Sequence, residues 1–267
     1  MDLGLRDRTV VVTGGSSGVG LATVRMLLDE GARVATCGRR AEALAAAFAD
    51  LPEEPRQRLH TAVCDVRDEA AVRGFVAETA ARFGAVDGLV NNAGASRMKP
   101  LLETTAEDWR DELELKFAGV LGPTLAALPH LRKAEHGGAV VNINAVLAKQ
   151  PEPRLITTSA ARAGILNLSA SLAQELAADG IRVNSVCLGL VDTGQWTRRY
   201  RSAAANGLQQ SYEEWQAETA ADRGIALGRF GRAEEVAYAV VSLLSPRASY
   251  ITGTAVDVAG GVNRGIH

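Results

Sequence analysis

One stretch near the N-terminus constrains the fold more than any other. Thr9–Thr13 reads TVVVT, Gly14–Gly20 reads GGSSGVG, and an amphipathic run continues to Glu30. A short β-branched run of this kind favours a buried parallel strand. Glycines then allow a sharp turn and a close approach of backbone to a phosphate, and a helix starting there points free N–H groups at the turn. Strand, glycine-rich turn and helix in this order form the opening of a dinucleotide-binding unit. Taken alone, the same letters also describe a tight strand-to-helix connection. A second expected strand, Arg33–Cys37, follows directly and ends at Gly38-Arg39-Arg40.

The end of that second strand bears on the cofactor. A carboxylate there would accept hydrogen bonds from the ribose 2′-hydroxyl of NAD. Here the position is Gly38, followed by Arg39, which can pair with a 2′-phosphate and meets no competing acid. NADP(H) is therefore expected over NAD(H). The other reading makes Arg39 and Arg40 the solvated start of a helix.

The rest of the chain alternates strand and helix. Further strands are expected at Leu59–Cys64, Gly88–Asn91, Ala139–Ile143, Arg182–Cys187 and Ala255–Val258, with helices at Ala41–Ala49, Glu69–Arg82, Ala106–Lys133, Ser159–Ala178 and Ala233–Leu244. Pro123 and Pro129 fall inside the third helix, where each removes a helical N–H. Such alternation builds right-handed βαβ units and a parallel sheet covered on both faces. The fold class is α/β, a Rossmann-like doubly wound sheet. A chain of 267 residues suits one such domain over 1–267. The segment 190–232, polar and rich in Arg, Tyr and Trp, reads as a substrate lid inserted within it.

Composition excludes several roles. The net charge of −2 gives no global field for nucleic acid or a membrane surface. No apolar run approaches 18 residues and no signal peptide is visible, so a cytoplasmic protein is expected. Cys37, Cys64 and Cys187 lack metal-ligand spacing and read as buried thiols.

The motifs together resemble the short-chain dehydrogenase/reductase family over nearly the whole length. Thr13-Gly14-x-x-x-Gly18-x-Gly20 resembles its nucleotide turn, Asp65-Val66 its adenine-contacting pair, and Asn91-Asn92-Ala93-Gly94 the motif closing its fourth strand. Gly180–Val186 resembles the sixth strand. Leu188-Gly189-x-x-x-Thr193 resembles the nicotinamide-side loop, with leucine where proline is usual. Gly228–Gly231, Tyr250–Gly253 and Gly260-Gly261 resemble the C-terminal signatures. Several motifs in the right order are more specific than one glycine loop. The resemblance implies seven strands and a homo-oligomer, tetramer or dimer. It makes Gly14, Ser16, Ser17, Gly18, Val19, Gly20, Arg39, Asp65, Val66, Asn91, Ala93, Gly94, Arg162, Gly189, Val191 and Thr193 the cofactor-contact residues.

The same resemblance exposes four departures. Where the family keeps asparagine, serine, tyrosine and lysine, this chain has Lys116, Ala145, Thr158 and Arg162. A threonine hydroxyl has no acidity comparable to a tyrosine's. Arginine stays protonated, although it can still hold ribose hydroxyls. Lys116 is the added titratable group, either a candidate acid with a lowered pKa or a structural lysine. Asn144 either orients a substrate carbonyl or caps a strand end. The candidate catalytic set is thus Lys116, Asn144, Thr158 and Arg162.

Three functions fit these residues. One is an NADP(H)-dependent oxidoreductase with an unusual proton source, or one acting on an iminium or another pre-polarised acceptor. The others are a non-redox cyclase, isomerase or dehydratase, and a cofactor-binding pseudoenzyme. The kept nicotinamide-side residues Gly189, Val191 and Thr193 favour the first. Trp196, Tyr200, Tyr212 and Trp215, beside Arg198, Arg199 and Arg201, point to an aromatic or anionic substrate. Alternatively, these aromatics pack the lid onto the body.

Overall fold

A computed structural model describes residues 2–96 and 98–263. In chain order the elements are β1 (Thr9–Thr13), α1 (Gly18–Asp29), β2 (Arg33–Gly38), α2 (Ala41–Ala47), α3 (Glu53–Gln57), β3 (Leu59–Val63), α4 (Glu69–Phe83), β4 (Gly88–Asn91) and α5 (Ala106–Leu131). They continue with β5 (Ala139–Ala145), α6 (Ile156–Leu176), β6 (Arg182–Leu188), β7 (Val191–Asp192), α7 (Gly194–Ala205), α8 (Tyr212–Asp222), β8 (Gly231–Arg232), α9 (Ala233–Leu244) and β9 (Ala255–Val258).

Seven strands form one parallel sheet in the order β3-β2-β1-β4-β5-β6-β9. Its side chains alternate between two apolar layers, as a pleated strand requires. Val10, Val12, Val34, Val90, Val141 and Val186 pack under α1 and α9. Val11, Ala35, Leu89, Val140 and Val183 pack under the layer of α4, α5 and α6. The chain moves outward from β1 to β3 and then returns to β4. Strand order therefore reverses between β1 and β4, and a crevice opens at the strands' C-terminal ends.

Helix α5 runs unbroken through both prolines. Its start is fixed by a capping box, in which Thr105 and Asp108 each bond the other's backbone N–H. An interior proline costs about 3 kcal/mol. Burial of Val120, Ala127 and Leu131 on the same helix offsets that cost. The short helix α3 is not among the helices expected from the sequence. Pro52 stands at its N-cap and Pro55 within its first turn, where proline does little harm. Other helix limits differ from expectation by two or three residues: α2 ends at Ala47, α5 at Leu131, and α6 runs from Ile156 to Leu176.

The segment 190–232 is closed at its base by a two-stranded parallel pair, Val191↔Gly231 and Asp192↔Arg232. It carries α7 and α8 and a small core of Ala220, Ile225 and Phe230. Among the described residues no helix is long and apolar enough to cross a membrane. Cys37, Cys64 and Cys187 are free and buried.

Candidate active site

A cleft of about 670 Å³ lies along the C-terminal ends of β1, β2, β4, β5 and β6. Its first half is built from backbone. Gly14 has φ of +73°, and a Cβ there would lie 2.9 Å from Ala93 Cα. At Gly20 a Cβ would lie 2.4 Å from the Gly14 carbonyl oxygen. Only glycine lets these three segments approach so closely.

Side chains lock the turn to β4. The Asn92 amide donates to the carbonyls of Thr13 at 2.9 Å and Gly14 at 3.0 Å. The backbone N–H groups of Asn92 and Ala93 both donate to Thr13 Oγ1 at 3.0 Å. Asn91 donates to Asn142 Oδ1 at 2.8 Å and Thr124 Oγ1 at 3.1 Å, which ties β4 to β5 and α5.

At the outer end of this half the cleft wall includes Arg39, Arg40, Asp65 and Arg67. Arg67 grips both oxygens of Asp65, at 2.8 and 3.2 Å. These hydrogen bonds hold the Asp65 carboxyl below its ordinary pKa, and Arg39 pulls the same way. The Asp65 carboxylate, on which Arg39 acts, is thus already countered. Arg67 is a cleft residue that the sequence motifs did not single out.

The second half is built from side chains of α5, β5 and α6. Glu112 and Lys116 sit one turn apart on α5, so they share a face. Both are buried, at 5% and 7% exposure, yet both reach the cleft wall. Lys116 Nζ lies 3.3 Å from Glu112 Oε1 and donates to the Ala95 carbonyl. An ammonium has three N–H groups. One of them has no partner among the described residues. Burial first, and the Arg162 charge second, push the Lys116 pKa down to about 8, against the pull of Glu112.

Thr158 lies behind this pair. Its hydroxyl donates to Glu112 Oε1 at 2.8 Å, and its side chain is fully buried away from the cleft wall. Arg162 does line the cleft. Its Nη1 sits 3.4 Å from the Ile143 carbonyl, and its Nε has no hydrogen-bond partner among the described residues. Asn144 donates to the Arg162 carbonyl at 3.0 Å and accepts from the Ala145 N–H at 2.9 Å. Its amide therefore clamps the end of β5 to α6, directly under Arg162.

The sequence candidates thus converge on one cleft, with two exceptions. Gly20 lies off the cleft wall and acts by letting the turn pack. Thr158 reaches the site only through Glu112. Glu112 itself was missed by motif reading. Its signal was available: an acid four residues before Lys116 on a helix already expected.

Four aromatics of the segment 190–232 form one cluster. Trp215 sits 6.0 Å from Trp196, 5.7 Å from Tyr200 and 6.1 Å from Tyr212, centroid to centroid. Trp196 also packs on Phe230 at 4.8 Å. Of the four, only Trp196 lines the cleft, with Arg198 and Arg199 beside it. These aromatics therefore pack mainly on one another.

A doubly wound sheet with a glycine cradle at its switch point defines a dinucleotide-binding oxidoreductase scaffold. The chain belongs to the short-chain dehydrogenases, whose family model matches residues 8–204. Two solved structures cover nearly all of it. One is the NADPH-bound short chain oxidoreductase from Pseudomonas aeruginosa PAO1 containing an atypical catalytic center. It is 44% identical with TM-score 0.91, covering 97% of this chain and 98% of that one. The other is L-sorbose reductase from Gluconobacter frateurii, complexed with NADPH and L-sorbose, at 30% identity, TM-score 0.94 and 100% coverage of both chains. The cis-4-hydroxycyclohexanecarboxylate dehydrogenase of Sinomonas cyclohexanicum is 38% identical, over 96% of each chain.

Proposed function

We propose that this protein is an NADP(H)-dependent reductase of a small organic carbonyl or iminium-type acceptor, with Lys116 as the proton donor that replaces the family tyrosine. The residues present fit the cofactor. Gly14, Ser16, Ser17 and Gly18 line the cleft at the α1 N-terminus, where a pyrophosphate would sit, and Arg39 lines its outer end, where it suits a 2′-phosphate. Arg162 lines the same cleft, where its guanidinium suits a ribose hydroxyl. The nicotinamide supplies or accepts the hydride. Two of the similar structures hold NADPH, which supports the same cofactor here.

The observation that carries the reading is the placement of Lys116. It is a buried ammonium on the cleft wall, with one N–H uncommitted and a pKa pushed down to about 8. Below that pH it is protonated and can donate to a substrate oxygen as negative charge builds there. Glu112 keeps the ammonium charged against the field of Arg162, and Thr158 fixes the Glu112 rotamer. Asn144 holds the backbone under Arg162. An already cationic acceptor would need no proton from Lys116, and that case is separable by mutation.

The test is NADPH oxidation at pH 7 with a panel of acceptors, starting with L-sorbose and 4-oxocyclohexanecarboxylate, the compounds suggested by the relatives. Lys116→Met should abolish most turnover while leaving NADPH affinity intact. Unchanged turnover would move the proton source elsewhere. A homo-oligomer is part of the proposal. Leu101, Leu102 and Ile156 are exposed beside α6, where the small residues Ala160 and Ala163 line an apolar groove. Light scattering at micromolar concentration checks it, and a monomer would contradict it.

A further inference from the structure

We propose that Arg199, backed by the ring of Trp196, is the seat for a carboxylate carried by the substrate. The inference rests on the reading of this cleft as the reaction site. It adds the substrate class: a compound with a carboxylate at the lid end and its reacting carbon towards Lys116.

The cations at this end of the cleft are not equivalent. Lys116 faces Glu112, and Arg223 pairs with Glu152. Arg199 has no hydrogen bond or ion pair among the described residues. Its guanidinium carbon lies over the Trp196 ring, 4.5 Å from the centroid. It is half-buried on the cleft wall. Burial, and then the charge of Arg223, lower its pKa, while Glu152 opposes them. An arginine remains a cation through such a shift. Arg199 and Arg223 thus face the single carboxylate of Glu152, which pairs with Arg223, and the partly desolvated Arg199 guanidinium is left without an ion pair among the described residues.

A guanidinium lying over an indole face keeps its N–H groups in the plane and free at the edge. Two parallel N–H donors match the two oxygens of a carboxylate. One free fork suits one planar monoanion. Arg198 also lines the cleft but is exposed, so inorganic phosphate is compared with the carboxylates directly. Val146 and Leu147 also line the cleft and suit an apolar spacer between the two ends of the substrate.

The experiment is calorimetric titration of the NADPH-loaded protein with three acids that carry no reducible carbon: cyclohexanecarboxylate, benzoate and hexanoate. The matching carboxamides and inorganic phosphate are titrated alongside. At least one acid should bind about tenfold or more tightly than its amide, as loss of a charge-assisted fork implies. Arg199→Met should bring the acid down to its amide, Arg199→Lys should fall between, and Arg201→Met should change nothing. Thermal melts and NADPH titration verify that each variant is folded and loaded.

Equal binding of acid and amide, no binding by any of the three acids, or full binding in Arg199→Met would overturn the assignment. Tighter binding of inorganic phosphate than of any acid would overturn the carboxylate in favour of a phosphorylated substrate. Because none of these probes is turned over, a failure of Lys116 as proton donor would leave this result unaffected, and the two claims fail separately.

Discussion

The two halves of the cleft are built by different means. The half at β1, β2 and β4 is made of backbone: glycines that permit close approach, and Thr13 and Asn92 that bond the main chain of neighbouring strands. The half at α5, β5 and α6 is made of side chains that satisfy one another: Glu112 with Thr158 and Lys116, and Asn144 under Arg162. A backbone site tolerates little change, because the alternatives are steric. A side-chain site can exchange its chemistry while the scaffold stays fixed, provided that each buried charge finds a partner. Here a lysine, a threonine and an arginine stand in the positions of the family asparagine, tyrosine and lysine. Glu112 is the partner that makes the set self-consistent.

The comparison can be broken at several points. Lys116→Met should have the largest effect, a fall of about 10²–10⁴-fold in turnover at pH 7, the usual cost of losing a general acid. Its NADPH affinity should stay close to wild type. A parallel loss of affinity would make Lys116 part of the cofactor half.

Arg39→Ala probes the opposite end. It should weaken NADP(H) binding by about 1.5–3 kcal/mol, the worth of a hydrogen bond to a charged group, and leave NAD(H) unaffected. Titration of both cofactors measures this, and equal wild-type affinities for the two would remove the claim.

Glu112→Gln should act on pH. Glu112 raises the Lys116 pKa, so its neutral replacement lets burial and Arg162 lower it further. In the proposed reaction, reduction depends on the protonated lysine. It is therefore lost as pH rises through that pKa, and the alkaline limb of the rate profile should move to lower pH in the variant. An unmoved limb would show that the two side chains are not coupled.

Thr158→Val should be mildest, within roughly tenfold in turnover, about 1.4 kcal/mol in barrier. The hydroxyl only orients Glu112 from behind. A collapse of activity in a folded, NADPH-binding variant would instead make the threonine a direct participant.

This division also explains what could be read before the structure. The backbone half was legible because its requirements are local: Gly14, Gly18 and Gly20 follow a β-branched run, and Gly38-Arg39 follows the next. The sheet was legible for the same reason, since Val10–Val12 and Val140–Val141 carry their burial in their own sequence. The side-chain half was legible only as an absence. Glu112 gains meaning from Thr158, 46 residues away, and that pairing depends on how α5 lies against α6. The parallel pair of β7 and β8 was hidden for a similar reason, since two residues at each end of a long excursion carry no pattern of their own.

The central claim is that Lys116 is a buried ammonium tuned for proton transfer, and its titration can be observed directly. The chain has four lysines, Lys99, Lys116, Lys133 and Lys149. Selective 13C,15N-lysine labelling and NMR titration of the side-chain signals from pH 6 to 11 would resolve each of them, with Lys116→Arg supplying the assignment. The account predicts one signal with a midpoint of about 8, absent from Lys116→Arg and moved to lower pH in Glu112→Gln. A Lys116 midpoint near the ordinary lysine value, about 10.4, would contradict it and leave the cleft without its proton donor.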